Sequence, residues 1–348
     1  MPIKEFSAQD FRCLARVELK ADPGFNLIYG ANASGKTSIL EAIAYLGRAK
    51  SFRSAPTSKL IRHDQKEFIL FGKVADGSHV ASVGVRNSSE GLEVRIDGKP
   101  GGGAADLAGV LPLQIIDPDV HNLVAGAPEE RRRYLDWIAF HVEHGYLDTW
   151  RRFRRALKQR NAALRAGQAA ASIRGWNTEL AALAGAVDEA RRRALEVASE
   201  SLEEVGVDLL GSQVHFEYRQ GWKEGVELIE ALEAGLERDL QQGSTQNGPH
   251  RADLRLIYDE RQARKLVSRG QQKLLACSMV LAATETAQTA LERPLVLLMD
   301  QARSVVAHFV LSNRPPVLSN MRVAQREGTK LVDIRYDVAD PDADAMTI

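Results

Sequence analysis

The sequence predicts an α/β fold that is interrupted by an inserted helical lobe and followed by a β-like C-terminal tail. A glycine-rich loop at residues 30–36 lies between a predicted strand and a predicted helix. A helical pattern from about Glu129 to Glu204 separates this region from a second stretch of strands and helices. After residue 300 the pattern contains strands and turns but no helix. We therefore expect an N-terminal head segment (1–126), a helical lobe (127–210), a C-terminal head segment (211–300) and a divergent tail (301–348).

The composition indicates a soluble globular protein without an overall charge preference for its partners. Lys and Arg total 46 and are balanced by 46 Asp and Glu, so any nucleic-acid affinity must come from a local patch. The N-terminus has no signal-peptide pattern, and no apolar run approaches the ~18 residues of a membrane helix. We therefore expect a cytoplasmic protein with no membrane partner. Cys13 and Cys277 form no CxxC pair and have no His at ligand spacing, which disfavours a disulfide or a zinc site.

Strand and helix patterns follow one another along the N-terminal head segment. Three period-two stretches come first and are expected to be strands: IKEF, FRCLARVELK and FNLIYG. A helix is expected in TSILEAIAYLGRAK, where Ile39, Leu40, Ile43 and Leu46 share one face. A β-rich flank (FILFGKV, VASVGVRN, LEVRIDG) and a buried strand (LPLQIID) complete the segment.

The lobe is expected to consist of two helices packed antiparallel, with a break near Gly167 to Gly175. Trp150, Phe153 and Leu157 recur at helical spacing before the break, and Leu180, Leu183 and Val187 do so after it. The C-terminal head segment then contains, in order, the strand VHFEYR, a short helix at about 225–240, the strand LRLIYD, the helix QQKLLACSMVLAATETAQ and the strand LVLLMD.

The loop GANASGKT fits the pattern G-x-x-x-x-G-K-[ST] of a phosphate-binding loop. Its glycines allow backbone N–H groups to converge on phosphates, the lysine supplies a positive charge, and the threonine offers a hydroxyl to Mg²⁺. The motif therefore predicts a site for ATP and Mg²⁺. The residues expected to form it are Gly30, Ala31, Asn32, Ala33, Ser34, Gly35, Lys36 and Thr37.

A second motif, VSRGQQKLL, places Ser268 immediately before a helical run. A serine cap followed by glycine leaves free N–H groups at the positive end of a helix dipole, where an anion can bind. Taken alone, this pattern is more typical of a simple helix cap. The residues of interest are Ser268, Arg269, Gly270 and Gln271.

Together, the phosphate-binding loop, the helical insertion, the Ser268 motif and an apolar strand ending in Asp300 resemble the head domain of ABC/SMC-type P-loop ATPases. The match narrows to the RecF family through FRCLARVEL, SFRS (51–54), LVAGAPEERRRYLDW (123–137), ALKQRNAALR (156–165), GPHRADL (248–254) and SRGQQKLL, which occur in the RecF order over residues 1–300. The insertion is much shorter than an SMC coiled coil.

The resemblance implies binding of ATP with Mg²⁺ at Thr37 and Asp300, and dimerisation in which Ser268 of one copy meets the phosphates held by another. It also implies binding of single-stranded and gapped duplex DNA, recombination mediator partners and a role in loading recombinase. A second acid follows the strand's aspartate in this family, but Gln301 stands there instead. Since glutamine cannot accept a proton from water, and a positioned general base is worth ~10²–10⁴ in rate, we expect impaired hydrolysis.

Residues 151–165 are the strongest candidate for DNA contact. They hold seven Lys or Arg and no Asp or Glu, although such a run can also be a solvated helical face. The candidates are Arg151, Arg152, Arg154, Arg155 and Lys158. GPHRADL invites a catalytic interpretation of His250 and Asp253, but a Gly-Pro turn that leads into a strand is the simpler interpretation.

The family pattern stops at Asp300. We interpret residues 301–348 as foreign to the family, through a chimeric or misassembled reading frame; the alternative is a divergent tail. Other functions also remain open: a non-hydrolysing nucleotide-dependent clamp or scaffold, or another ABC-type or OLD-like DNA-repair ATPase. A transporter ATPase is disfavoured because the insertion is long and basic.

Overall fold

The computed structural model describes residues 3–22, 24–53, 56–76, 79–211, 213–258 and 260–300, with the side chains of 76, 209, 265 and 266 left out, and beyond them only the backbone of three strands. The strands are β1 (Ile3–Phe11), β2 (Leu14–Lys20), β3 (Glu67–Asp76), β4 (His79–Ser88), β5 (Gly91–Ile96), β6 (Lys99–Pro100), β7 (Leu113–Ile116), β8 (Val214–Arg219), β9 (Asp253–Tyr258), β10 (Arg261–Gln262), β11 (Val296–Met299), β12 (Phe309–Val310), β13 (Val317–Gln325) and β14 (Val332–Ala339).

The helices lie mainly in the middle of the chain. They are α1 (Lys36–Arg48), α2 (Ala104–Val110), α3 (Asn122–Ala125), α4 (Pro128–Val142), α5 (Tyr146–Arg165), α6 (Ala170–Arg174), α7 (Asn177–Leu210), α8 (Leu228–Ala234), α9 (Leu236–Gln242), α10 (Ala263–Leu266) and α11 (Arg269–Leu291). The chain divides into two compact units: unit 1 comprises Met1–Asp117 and Glu292–Ile348, and unit 2 comprises Pro118–Leu291. The segment boundaries proposed from the sequence, at 126, 210 and 300, stay a prediction.

Unit 1 is built on an antiparallel sheet in the order β2-β1-β3-β4-β5-β6. Alternation of apolar and polar residues along β1, β3 and β4 buries one face of this sheet against α1. The rings of Phe11, Tyr45 and Phe68 meet edge to face beneath it, with centroids 5.0 and 5.2 Å from Phe68. As predicted, Leu40, Ile43 and Leu46 of α1 are buried.

A second sheet of unit 1 has the order β12-β11-β7. β11 runs parallel to β7, with Val296 opposite Leu113 and Met299 opposite Ile116, and β12 is antiparallel to β11. Because β11 is buried and pairs in this register, its end delivers Asp300 beside Ile116, whose carbonyl accepts the Asp300 N–H at 2.8 Å.

The strand predicted at FNLIYG is wrong, since the structure has no strand at 25–30. Asn26 instead closes a local turn: its side chain accepts from the Asp22 N–H at 3.0 Å and donates back to the Asp22 carbonyl at 3.0 Å. The phosphate-loop candidate therefore follows a turn rather than a strand. Phe25, Leu27 and Tyr29 are left exposed.

Unit 2 packs α4, α5 and α11 around the long helix α7, together with a sheet of order β10-β9-β8. The predicted core positions Phe153, Leu157, Leu180, Leu183 and Val187 are buried. The lobe has one more break than predicted, at Glu143 to Gly145, because Gly145 adopts a positive φ of 78° and ends the helical path between α4 and α5. Likewise, the short helix predicted near 225–240 is divided at Gly235 into α8 and α9.

α11 is long and apolar enough to cross a membrane by length and composition, contrary to the expectation that no segment approaches that limit. Half of its most apolar window is buried inside the protein. The core helix of a soluble protein meets the same criteria, so this helix is weak evidence for a membrane span.

Candidate nucleotide site

The glycine-rich loop turns tightly into the N-terminus of α1. Gly30 and Gly35 have φ values of 153° and 96°, and the Ser34 N–H donates to the Ala31 carbonyl at 3.2 Å. A Cβ on Gly35 would lie 3.0 Å from the Leu14 side chain and 3.3 Å from Cys13 Sγ, so both conformation and space favour glycine there. Backbone amides at a helix N-terminus form the cradle that an anionic phosphate requires.

Lys36 begins α1, and its ammonium group folds back over the loop. Its Nζ donates to the carbonyl oxygens of Gly30 and Ala31 at 2.9 and 2.7 Å. The positive charge is therefore held at the opening of the cradle, where a triphosphate would need it.

Thr37 and Asp300 come together although 263 positions separate them in the chain. The Thr37 hydroxyl donates to Asp300 Oδ1 at 3.2 Å. Burial raises the pKa of the Asp300 carboxyl, while the Thr37 hydroxyl and the positive charge of Arg53 oppose that shift. A hydroxyl and a carboxylate side by side are hard oxygen donors of the kind Mg²⁺ prefers, so the residues present fit a Mg²⁺ ion.

Sequence reasoning missed Glu41, which is fully buried one turn beyond Thr37 on α1. Arg12 donates to both of its oxygens, at 2.9 and 2.6 Å, and the Ser51 hydroxyl donates at 2.5 Å. Arg53 lies 3.9 Å away. Two motifs noted only for their family resemblance, FRCLARVEL and SFRS, therefore meet at this carboxylate. The sequence feature that could have indicated Glu41 is its position as a single acid within the apolar stretch ILEAIAYL.

Gln301, the residue expected to affect hydrolysis, lies outside the described residues, as do most of the residues of the tail. The backbone of the tail is described only in β12, β13 and β14, which agrees with the expectation of strands there.

Ser268 is confirmed as the cap of α11. Its hydroxyl accepts from the Gln271 N–H at 3.3 Å, and the Gln271 side chain accepts from the Ser268 N–H at 2.9 Å. This reciprocal pair is a capping box, which satisfies two helix-end donors. Ser268, Arg269 and Gly270 are exposed on unit 2.

The basic run of the lobe forms an exposed face of α5. All the candidate DNA-contact residues are exposed: Arg151, Arg152, Arg154, Arg155 and Lys158. Arg160, from the same run, differs because it is fully buried and pairs with Asp239 at 2.7 Å. Arg151 lies 3.8 Å from Asp148, and Arg154 stacks over the Trp150 ring at 5.3 Å.

GPHRAD (248–253) forms a turn that the buried Arg131 and Arg191 and the half-buried Arg132 hold in place. Arg131 pairs with Asp253 at 2.7 Å, Arg132 donates to the Ala252 carbonyl at 2.8 Å, and Arg191 donates to the Pro249 carbonyl at 2.8 Å. The carboxylate of Asp253 is thus engaged in an ion pair. Among the described residues there is also no group of three metal-ligating His, Cys, Asp or Glu side chains.

Known proteins resemble this chain over most of its length. The family described as RecF/RecN/SMC N terminal domain matches residues 2–305. Proteins named DNA replication and repair protein RecF from Pseudomonas fluorescens Pf-5 and Chromohalobacter salexigens are 41% and 42% identical, over 87% and 86% of this chain and 84% of each relative.

A solved structure described as the recombination mediator protein RecF-ATPrS in the RecFOR pathway has 25% identity and a TM-score of 0.80, and covers 86% of both chains. The predicted ABC/SMC-type α/β head is therefore confirmed, and the family match ends near the position at which the sequence resemblance stops. The chain belongs to the RecF family of ABC/SMC-type ATPase heads.

Proposed function

We propose that this chain is an ATP-binding and DNA-binding protein of recombinational repair and replication. The observation that carries the proposal is the contact of 3.2 Å between Thr37 and Asp300 at the start of α1, next to the glycine cradle. Relatives named DNA replication and repair protein RecF, and a RecF structure described with an ATP analogue, support this assignment.

In this proposal each residue of the nucleotide site has a defined task. The backbone amides of residues 30–36 bind the phosphate oxygens, and Lys36 leaves the loop carbonyls to neutralise the terminal phosphates. Thr37 and Asp300 would hold Mg²⁺, which would supply positive charge to neutralise the phosphates. Glu41 holds Arg12 and Ser51 in position beside this site.

Two copies of the chain are proposed to dimerise with ATP between them. The exposed start of α11, which Ser268 caps, offers the positive end of the helix dipole to the phosphates held by the second copy. Because the nucleotide then contributes to the contact, ATP acts as the switch for pairing.

Gln301 leads us to propose that hydrolysis is impaired. The general base of such a site typically contributes ~10²–10⁴ in rate, and a neutral amide cannot take the proton of an attacking water. The same residue favours a second candidate function, that of a nucleotide-dependent clamp or scaffold that binds ATP without turnover.

DNA is the proposed macromolecular partner, in single-stranded or gapped duplex form, and recombination mediator proteins are further proposed partners. The exposed basic face of α5 supports DNA contact, since Arg152, Arg155 and Lys158 have no ion pair among the described residues. The chain would help to load recombinase, in the cytoplasm.

Nucleotide binding is tested by titrating a fluorescent ATP analogue into the wild type and Lys36→Ala. We expect the variant to bind roughly 10- to 100-fold more weakly, because a charge-assisted contact is lost. Lys50→Ala, which removes an exposed lysine just beyond α1, is the matched control and should bind like the wild type. Equal affinity in all three proteins would contradict the proposal.

Dimerisation is tested by measuring mass in solution with a non-hydrolysable ATP analogue. The wild type should double its mass, and Ser268→Glu should remain monomeric because a carboxylate repels phosphate. Ser89→Glu places the same charge at an exposed turn and should still pair. The steady-state ATPase rate of the same samples separates the two candidate functions: a rate like that of relatives with the second acid would refute impaired hydrolysis.

A further inference from the structure

The GPHRAD turn lies against α5, the helix that carries the basic face. The His250 ring centroid is 6.2 Å from that of Phe153, which is buried on α5. Arg154 is the next residue of α5 and is exposed. The turn and the helix therefore present their side chains to a common region of unit 2.

Three arginines from different elements lie at this turn or on the adjoining part of α5, and none has a carboxylate at ion-pair distance in the described part of the chain. Arg132 of α4 donates to the Ala252 carbonyl at 2.8 Å, and Arg251 donates to the Gln246 amide oxygen at 2.9 Å. Arg154 rests on the Trp150 ring.

The neighbouring arginines differ, since Arg131 is paired with Asp253 and Arg191 with Asp136. Arg131 and Arg191 are thus engaged in direct ion pairs, whereas Arg132, Arg154 and Arg251 make none among the described residues.

The His250 ring of this turn packs against Phe153 of α5. Burial, with smaller contributions from the charges of Arg251, Arg132 and Arg154, lowers its pKa to about 4 against the hydrogen bond to Thr245. Its Nε2 lies 2.9 Å from the Thr245 carbonyl, and its buried Nδ1 has no hydrogen-bond partner among the described residues. The ring is therefore neutral and adds no positive charge to that of the three arginines.

We propose that Arg132, Arg154 and Arg251 form a binding site for one DNA backbone phosphate, which extends the basic face of α5 onto the GPHRAD turn. The inference rests on the proposed function, because it takes DNA as the partner. Guanidinium groups suit this ligand, since they bind phosphate oxygens through paired N–H donors. An anion among them would also relieve their mutual repulsion.

The turn is held rigidly enough to serve this purpose. Arg191 and Arg131 fix its two ends, and Gly221 packs so closely that a Cβ there would lie 2.3 Å from the Gly248 carbonyl oxygen. A side chain at 221 would displace the turn. The position of Arg251 is therefore set before any DNA arrives.

The site is tested by measuring the affinity of Arg154→Ala, Arg251→Ala and the double variant for a single-stranded oligonucleotide and a gapped duplex. Each single change should weaken binding about tenfold through one lost charge-assisted contact. If both arginines hold the same phosphate, the double variant should lose clearly less than the product of the two losses. Arg193→Ala, which removes an exposed arginine paired with Glu143, should change affinity less than twofold, since the charge of Arg193 is already paired.

The possible results distinguish failure of the phosphate site from failure of the proposed DNA-binding function. Variants that bind like Arg193→Ala, in a wild type that binds both DNA and ATP, would overturn the site and leave the proposed function standing. Losses that multiply would refute a shared phosphate. A wild type that binds ATP but no DNA would remove the DNA role and the site together. Arg154→Lys and Arg251→Lys guard against misfolding, because they keep the charge and should retain more affinity than the alanine variants.

Discussion

The two candidate anion sites of this protein are constructed in opposite ways. In unit 1 the cradle of residues 30–36 consists of backbone, with Lys36 as the charge and the buried Glu41 organising the surroundings. In unit 2 the proposed phosphate site consists of side chains from α4, α5 and the GPHRAD turn. A backbone site is encoded by adjacent residues, whereas a side-chain site depends on folding to bring distant positions together.

The largest expected effect comes from removing Glu41, which supports the backbone site. Glu41→Ala leaves Arg12 without its buried partner, so the free energy of unfolding should fall by about 3–5 kcal/mol. Chemical denaturation measures this loss. Glu67→Ala removes an acid of a surface pair with Arg86 and should cost only about 0–1 kcal/mol. Similar losses in both variants would mean that Glu41 has no special structural role.

The second effect tests whether His250 is buried as a neutral ring at the side-chain site. Its pKa is about 4 in the fold against 6.5 in the unfolded chain, so the unfolded state binds the additional proton. The stability contributed by neutral His250 is therefore complete above pH 6.5 and is lost as pH falls toward 4, at up to ~1.4 kcal/mol per pH unit.

Denaturation of the wild type and His250→Gln between pH 7 and pH 4 measures this contribution. The wild type should lose about 2–3 kcal/mol more than the variant, since partial exposure of the ring reduces the full value. His63→Gln, in which an exposed histidine is replaced, should keep the wild-type profile. Parallel curves for the wild type and His250→Gln would show that the ring is not buried in its neutral form.

The smallest effect concerns the helix start that faces a second copy. Ser268→Ala removes the acceptor of the Gln271 N–H, and loss of such a cap costs about 1 kcal/mol. Thermal unfolding should show this modest decrease, while pairing with the ATP analogue should weaken more than in Ser89→Ala. An unchanged melting curve would indicate that the capping box does not form.

Sequence reasoning reached the backbone site because GANASGKT contains its geometry within eight neighbouring letters. It also placed Asp300 at the end of a buried strand, and β11 confirms that position. It failed at FNLIYG, where the side chain of Asn26 closes a turn that period-two alternation does not reveal.

The side-chain contacts of the unit 2 arginines and of Glu41 could not be predicted from the sequence, for a different reason. Arg132, Arg154 and Arg251 span 119 positions of the chain, and nothing in composition distinguishes them from the paired arginines beside them. Glu41 could have been suspected as a lone acid on an apolar helix face. Its partners Arg12 and Ser51 depend on the packing of β1 and the 51–53 loop against α1.

The central claim is that Thr37 and Asp300 hold the Mg²⁺ of an ATP bound in the cradle. The most direct measurement is ATP affinity in Mg²⁺ and in EDTA, for the wild type and Asp300→Ala side by side. The wild type should bind more weakly in EDTA, and Asp300→Ala should show little difference between the two conditions. A wild type that binds equally in both conditions, or a variant with the full Mg²⁺ dependence, would contradict the account.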